Sequence, residues 1–245
     1  MAEGADVIDV GGESSRPRGV AYGEGAAPVT VEEELRRVLP VVFAIAKETR
    51  AKVSVDTIKA EVARQALEAG ATIVNDVSCG RHPDLLRAVA SAGADLVLMH
   101  NRGRGEVEVP NTRYSDVALD VRTELLDAVT RARLAGVAPE RIWIDPGLGF
   151  AKTALQSVTL LGKLEVLVNT GHAVLVGPSR KLFIAEMAPL FGGEKPAVSE
   201  RLGGTAASVT AAVLAGARAV RVHDVAAMRQ AVLVAMTMRA AAGTG

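Results

Sequence analysis

Short runs of Val, Ile and Leu alternate along the chain with longer stretches in which apolar residues recur every three or four positions. The short runs suit strands buried on both faces, and the longer stretches suit helices with one apolar side. Seven strands are predicted: Asp6–Gly11, Lys52–Asp56, Thr72–Asp76, Asp95–His100, Arg141–Asp145, Ala173–Gly177 and Ala219–His223. Helical patterns fill the intervals. Thr30 with Glu33 gives a capping-box signature ahead of "EEELRRVLPVVFAIAKE", in which Pro40 should kink the helix. Thr57 or Asp56 can cap "DTIKAEVARQALEAG", and Ser115 can cap "DVALDVRTELLDAVTRARLAG".

The joints between these elements repeat. "LEAGATIVNDV", "ASAGADLVLMH", "LAGARAVRVHD" and the looser "LAGVAPERIWIDP" each join a helix end to a strand through glycine, and the opening "MAEGADVIDV" reads the same way. The glycines are Gly4, Gly70, Gly93, Gly136 and Gly216, placed where a left-handed residue closes a helix. Strands alternating with helices predict a parallel sheet. No linker or low-complexity segment divides the chain, so residues 1–245 are expected to form a single domain. Seven βα units suggest an α/β fold, a (β/α)8 barrel with the first unit missing at the N-terminus, because the first strand follows a helix end. Such an opening would leave two strand edges exposed. The rival is a doubly wound open sheet, but "GGESSRPRG" lacks the glycine spacing of a phosphate loop.

Composition narrows the function. Hydrophobic residues make up 49% and aromatics only 3%, so the core must be Val, Ile, Leu and Ala. With 28 basic and 28 acidic residues, no electrostatic footprint for nucleic acid or a membrane surface is expected. No apolar run reaches the roughly 18–20 residues of a membrane span, and the start lacks a signal-peptide pattern. A cytoplasmic chain is expected. Cys79 is the single cysteine, which leaves no disulfide framework or thiolate metal cluster and reads as structural.

Active sites of parallel barrels sit at the C-terminal ends of the strands, and polar residues gather there. Alternation turns Ser54 and Asp56 away from Val53 and Val55, and Trp143 and Asp145 away from Ile142 and Ile144. It likewise turns Arg221 and His223 away from Val220 and Val222. Asn75 ends its strand, and Lys181 follows strand seven's predecessor in "VGPSRK". Singly, an aspartate there is a helix cap, an asparagine a turn residue, a lysine a solvated side chain. Together, two carboxylates, an amide, a lysine, an arginine and a histidine at strand ends point to a ligand. The carboxylates and amide suit a heterocycle with N–H groups, while Arg221 and His223 suit phosphate oxygens. Asp76, His82, His100 and His172 read as structural or surface residues. Two long irregular loops, 11–29 and 100–114, have the length of functional loops.

The motifs "DVGGESSRP", "SVDT", "IVNDVS", "LVLMH", "IDPGLGF", "GPSRK" and "RVHD" occur in one order across nearly the whole chain. In these the chain resembles dihydropteroate synthase, of the pterin-binding barrel superfamily. The resemblance implies a transferase that condenses 7,8-dihydropterin-CH2-diphosphate with para-aminobenzoate, giving 7,8-dihydropteroate and pyrophosphate in folate synthesis, and a sulfonamide target. It implies that Asp56, Asn75, Asp145 and Lys181 hold the pterin and that Arg221 and His223 bind the diphosphate. Lys181, Arg221 and His223 would be the catalytic set. Ser15, Arg16, Pro17, Phe150 and Ser179 would border the aminobenzoate. Magnesium (Mg2+) is the implied cofactor, with no ligand from this chain, since the family's asparagine lies in the absent first strand and loop. A homodimer is also implied. Ala151 stands where the family commonly has Gly, Ser15 where Thr is common, Asn101 where Met is frequent, and Leu182 where Ser or Arg is frequent. Two other readings stay open: a non-catalytic pterin-binding fragment, and a methyltetrahydrofolate-type methyltransferase, which has no need of the "SRK" and "RVHD" pair.

Overall fold

The structure, a computed structural model, describes residues 3–14, 28–103 and 112–242. The chain divides into two compact units, Met1–Glu106 with Thr123–Ile144, and Val107–Arg122 with Asp145–Gly245.

The first unit opens with β1 (Val7–Gly11), α1 (Val31–Glu48), β2 (Lys52–Asp56), α2 (Ala60–Glu68), β3 (Ile73–Asp76), α3 (Pro83–Ala92) and β4 (Asp95–Met99). Most of α4 (Val117–Leu134) follows, then β5 (Ile142–Asp145), whose last residue begins the second unit. Strands β1 to β4 pair in chain order and in parallel. Their register sets Gly11 beside Asp56 and Asp56 beside Asn75. Val53, Val55, Val74, Leu96 and Leu98 are buried on the strands, and Val38, Val42, Val62, Leu85 and Leu86 on the helices. Burial on both strand faces is what near-continuous aliphatic runs achieve, at roughly 1.5–3 kcal/mol per buried side chain.

The second unit contains α5 (Ala154–Gly162), α6 (Glu165–Val168), β6 (Ala173–Val176), α7 (Leu182–Met187), α8 (Leu202–Ala215), β7 (Ala219–Val220) and α9 (Val225–Ala242). β6 and β7 pair in parallel, Leu175 beside Ala219 and Val176 beside Val220. Leu160, Leu164, Leu167, Val174, Val176, Val209 and Met228 form its interior.

All seven strands appear, each within a few residues of its predicted limits. The largest difference is β7, which ends at Val220, so Arg221 and His223 lie beyond it rather than within it. The Arg221 N–H still donates to the Val176 carbonyl at 2.9 Å, but the His223 N–H turns to Ser179 Oγ. The side chain of Ser179 thus takes the place of a strand partner. Two caps also differ. Thr57 Oγ1 accepts the Lys59 N–H, closing a turn, and α2 starts one residue later without a side-chain cap. Asp116, not Ser115, takes the first free N–H groups of α4, from Ala118 and Leu119. Thr30 caps α1 through the Glu33 N–H, while the Glu33 carboxylate goes to Arg36 and Arg37 instead of completing the box. The helix runs on through Pro40. Gly93 and Gly216 close α3 and α8 in the left-handed conformation, as the repeat predicts.

Candidate active site

In the second unit the loop "DPGLGFAK" carries a buried carboxylate and two lysines. Asp145, at the end of β5, is 6% exposed, and its Oδ1 accepts the Gly147 N–H at 2.7 Å. Burial pushes its carboxyl above the usual range, opposed by the Lys181 ammonium and by that N–H. Lys181 stands at the N-cap of α7 and donates to the Leu148 carbonyl. Its Nζ lies 4.5 Å from the centre of the Phe150 ring, within cation–π reach. Burial drives Lys181 down to about 8, with Asp145 pulling it up and Arg221 pushing it further down. A lysine this close to neutrality can both donate hydrogen bonds and give up a proton.

Backbone conformation makes this packing possible. Gly149 has φ +79°, and a Cβ there would stand 3.6 Å from Lys181 Cδ. Lys152, only 3% exposed, donates to the carbonyls of Gly147 and Phe150 at 3.1 and 3.0 Å. Its charge also draws on Asp145. Lys152 was not among the sequence candidates. Its signal was a lysine between a glycine-rich motif and a capped helix, a position where a merely solvated side chain is the ordinary reading.

The loops after β6 and β7 are joined by two contacts. His223 Nδ1 lies 2.9 Å from Ser179 Oγ. Arg180, at φ +57°, forms a two-pronged pair with Asp224, Nε to Oδ2 at 2.9 Å and Nη2 to Oδ1 at 2.5 Å. That pair holds the Asp224 carboxyl below its usual range. Arg221 leaves the ladder with its side chain exposed to solvent, as is that of His223. Its charge reaches both Asp145 and Lys181. Of the predicted residues, the second unit therefore brings Asp145, Lys181, Phe150 and Arg221 together, and Ser179 with His223.

In the first unit, Asp56 and Asn75 are neighbours across β2 and β3, both buried. Asn75 Oδ1 has no hydrogen-bond partner among the described residues. A buried acceptor is costly to leave unpaired, so a water or a ligand N–H would be welcome there. Asp76 is structural: its two oxygens accept the N–H groups of Ser78 and Gly80 at 2.8 and 2.7 Å. Cys79 is buried, and that burial pushes its thiol up, away from nucleophile chemistry. His100 is fully buried against Glu124, which Arg102 also holds. Burial pushes Glu124 up, but those two bonds outweigh it and hold the carboxyl at about 2. Asn101 turns its amide to the Val77 carbonyl. Lys59 bridges Glu13 of "GGESSRP" and the buried Glu34 of α1. Gly12 lets β1 and α1 meet there, since a Cβ on it would lie 2.8 Å from Glu34 Cγ. Ser15, Arg16 and Pro17 lie outside the described residues, as do most of the two long loops.

Among the described residues, no group of three or more His, Cys, Asp or Glu is gathered to hold a metal ion. Nor is any described helix long and apolar enough to cross a membrane.

The family model for pterin binding enzymes matches residues 1–223. A dihydropteroate synthase of Synechocystis sp. is 44% identical over 228 residues, 93% of this chain and 75% of that protein. Among solved structures, the Xanthomonas albilineans dihydropteroate synthase with 4-aminobenzoic acid is 40% identical with a TM-score of 0.87, covering 98% of this chain and 81% of that one. A second structure from that organism, in complex with 7,8-dihydropteroate, is 38% identical with a TM-score of 0.82, over 98% of this chain and 81% of that one. Likeness at this level fixes the α/β class expected from the alternating pattern.

Proposed function

The chain belongs to the pterin-binding enzyme family, and we propose that its residues carry out dihydropteroate synthesis in the following way. The substrates are 7,8-dihydropterin-CH2-diphosphate and para-aminobenzoate. The methylene C–O bond breaks, its electron pair leaving with pyrophosphate. The amine nitrogen forms the new C–N bond and releases one proton. The products are 7,8-dihydropteroate and pyrophosphate, a step of folate biosynthesis.

Asp145 and Lys181 hold the pterin, the carboxylate accepting from ring N–H groups and the ammonium donating to ring acceptors. Asp56 and Asn75 are assigned to the pterin by the resemblance, and the Asn75 Oδ1, without a partner among the described residues, supports a ligand N–H beside it. Arg221 and His223 meet the departing diphosphate, where fixed donors lower the barrier most because charge develops there. Phe150 borders the aminobenzoate, its ring fixed by Lys181 on one face and by the Lys152 bond at its carbonyl. Ser15, Arg16 and Pro17 are assigned to the aminobenzoate by the resemblance alone.

The described residues gather no set of three or more His, Cys, Asp or Glu that would hold a magnesium ion. Mg2+ is proposed instead as an ion carried in on diphosphate oxygens, a common state for an ion that keeps most of its waters. A homodimer is supported by the exposed Leu233, Val234, Met236 and Met238 of α9, and a single domain over 1–245 and a cytoplasmic setting complete the proposal.

The observation that carries the residue assignment is the buried Asp145 beside Lys181, whose ammonium is depressed and packed on Phe150. Supplying the chain with both substrates and magnesium tests it. Dihydropteroate and pyrophosphate should appear in equal amounts, and pyrophosphate without dihydropteroate would overturn it.

A further inference from the structure

We propose that Ser179 is a positioning residue for His223, holding its imidazole as the tautomer with the proton on Nε2 and fixing the ring's direction for the leaving diphosphate. The proposal rests on the synthase reading above, but it assigns Ser179 differently from the aminobenzoate border.

Ser179 is 7% exposed, and among the described residues its hydroxyl has two partners, both on His223. The His223 backbone N–H donates to Oγ at 3.2 Å, and Nδ1 lies 2.9 Å from the same oxygen. A serine hydroxyl has one proton to give and lone pairs to accept. With the backbone N–H already arriving at Oγ, the hydroxyl proton has Nδ1 as its acceptor. Were Nδ1 protonated instead, Oγ would accept twice and a buried hydroxyl proton would lose its bond, which is the costly alternative. The neutral ring therefore keeps its proton on Nε2. The same oxygen reads the backbone and the ring, so it fixes where His223 sits and how the ring turns. The Arg180–Asp224 pair spans the same two loops one residue further along each, and holds the contact together. The group bonded to one ring nitrogen decides which nitrogen faces the chemistry.

The test is long-range nitrogen–proton correlation on the full chain with 15N-histidine, the His223 signals being assigned by their loss in His223→Asn. In the unsubstituted chain, above the ring's own titration, Nδ1 should show the unprotonated shift and Nε2 the protonated one. Ser179→Ala should move both nitrogens toward the average of the two tautomers, and Ser179→Thr should restore them. Kinetically, Ser179→Ala should lower kcat about tenfold, the scale of one lost hydrogen bond, with KM for para-aminobenzoate unchanged. A protonated Nδ1 in the unsubstituted chain overturns the proposal. So does a Ser179→Ala effect confined to KM for para-aminobenzoate, which would return Ser179 to that substrate's border. A chain that forms no dihydropteroate defeats the synthase reading, while the nitrogen spectrum still decides the tautomer.

Discussion

Ala151 holds a left-handed backbone at φ +46°, buried, with its carbonyl accepting from the Tyr114 hydroxyl at 2.9 Å. An L-residue spends roughly 1–2 kcal/mol there, whereas glycine loses only its extra freedom, roughly 0.5–1 kcal/mol. Ala151→Gly should therefore stabilise the chain by about 0.5–1 kcal/mol, read as a higher urea midpoint at constant slope. Lys181 gives the opposite case, a residue whose usefulness costs stability. Its folded value of about 8 lies below the ordinary 10.5. Between those values the unfolded chain binds a proton that the folded chain has released, so this group's contribution to stability rises with pH across the window. Below about 8 the cost is complete. Comparing unfolding free energies of the unsubstituted chain and Lys181→Met at about pH 7.5 and about pH 10 checks the sign: the difference should shift in favour of lysine at the higher pH. No shift would mean that Lys181 keeps its ordinary titration. Asp145, Lys181 and Arg221 were legible because strand alternation and chain order bring polar residues to strand ends. Lys152 and the Ser179–His223 bond were not, since a lysine's burial and a hydroxyl's partner are decided by loop backbone that alternation does not describe.

At the level of elements, α8 begins with paired glycines that do different things. A Cβ on Gly204 would lie 2.2 Å from Ile184 Cγ2 on α7, while a Cβ on Gly203 would meet nothing within 4 Å. Gly204 is thus the point where α8 and α7 touch closely, and Ile184 is β-branched and slow to give way. Gly204→Ala should destabilise by about 1–2 kcal/mol, the overpacking cost less the gain in helix propensity. Gly203→Ala should stabilise by about 0.4–1 kcal/mol. Equal effects in thermal unfolding would contradict the packing. Element existence and order were readable from the apolar period and the glycine joints. Element ends were less so. β7 stops early because the His223 N–H finds Ser179, and α4 is capped by Asp116 because its carboxylate reaches two N–H groups at once. In each case a side chain competed with the regular ladder, and the apolar period carries no record of which hydroxyl or carboxylate reaches a backbone N–H.

For the molecule as a whole, the repeated helix–glycine–strand joint carried most of the fold. It announces parallel βα units before any motif is considered, and 44% identity to a synthase over 93% of the chain agrees with it. Balanced charge leaves no sequence-wide field, so whatever anion is bound must meet local donors, and the Arg221 cation with the His223 ring N–H is where the chain supplies them. The chain joins a dihydropterin to an aminobenzoate, and the Asp145–Lys181 cluster is proposed to carry that reaction. The most direct measurement is steady-state formation of dihydropteroate from dihydropterin-CH2-diphosphate and para-aminobenzoate, compared between the chain and Lys181→Ala. Product from the unsubstituted chain, falling by at least about a hundredfold in the variant, is the predicted result. Product formation that survives unchanged in Lys181→Ala would contradict it.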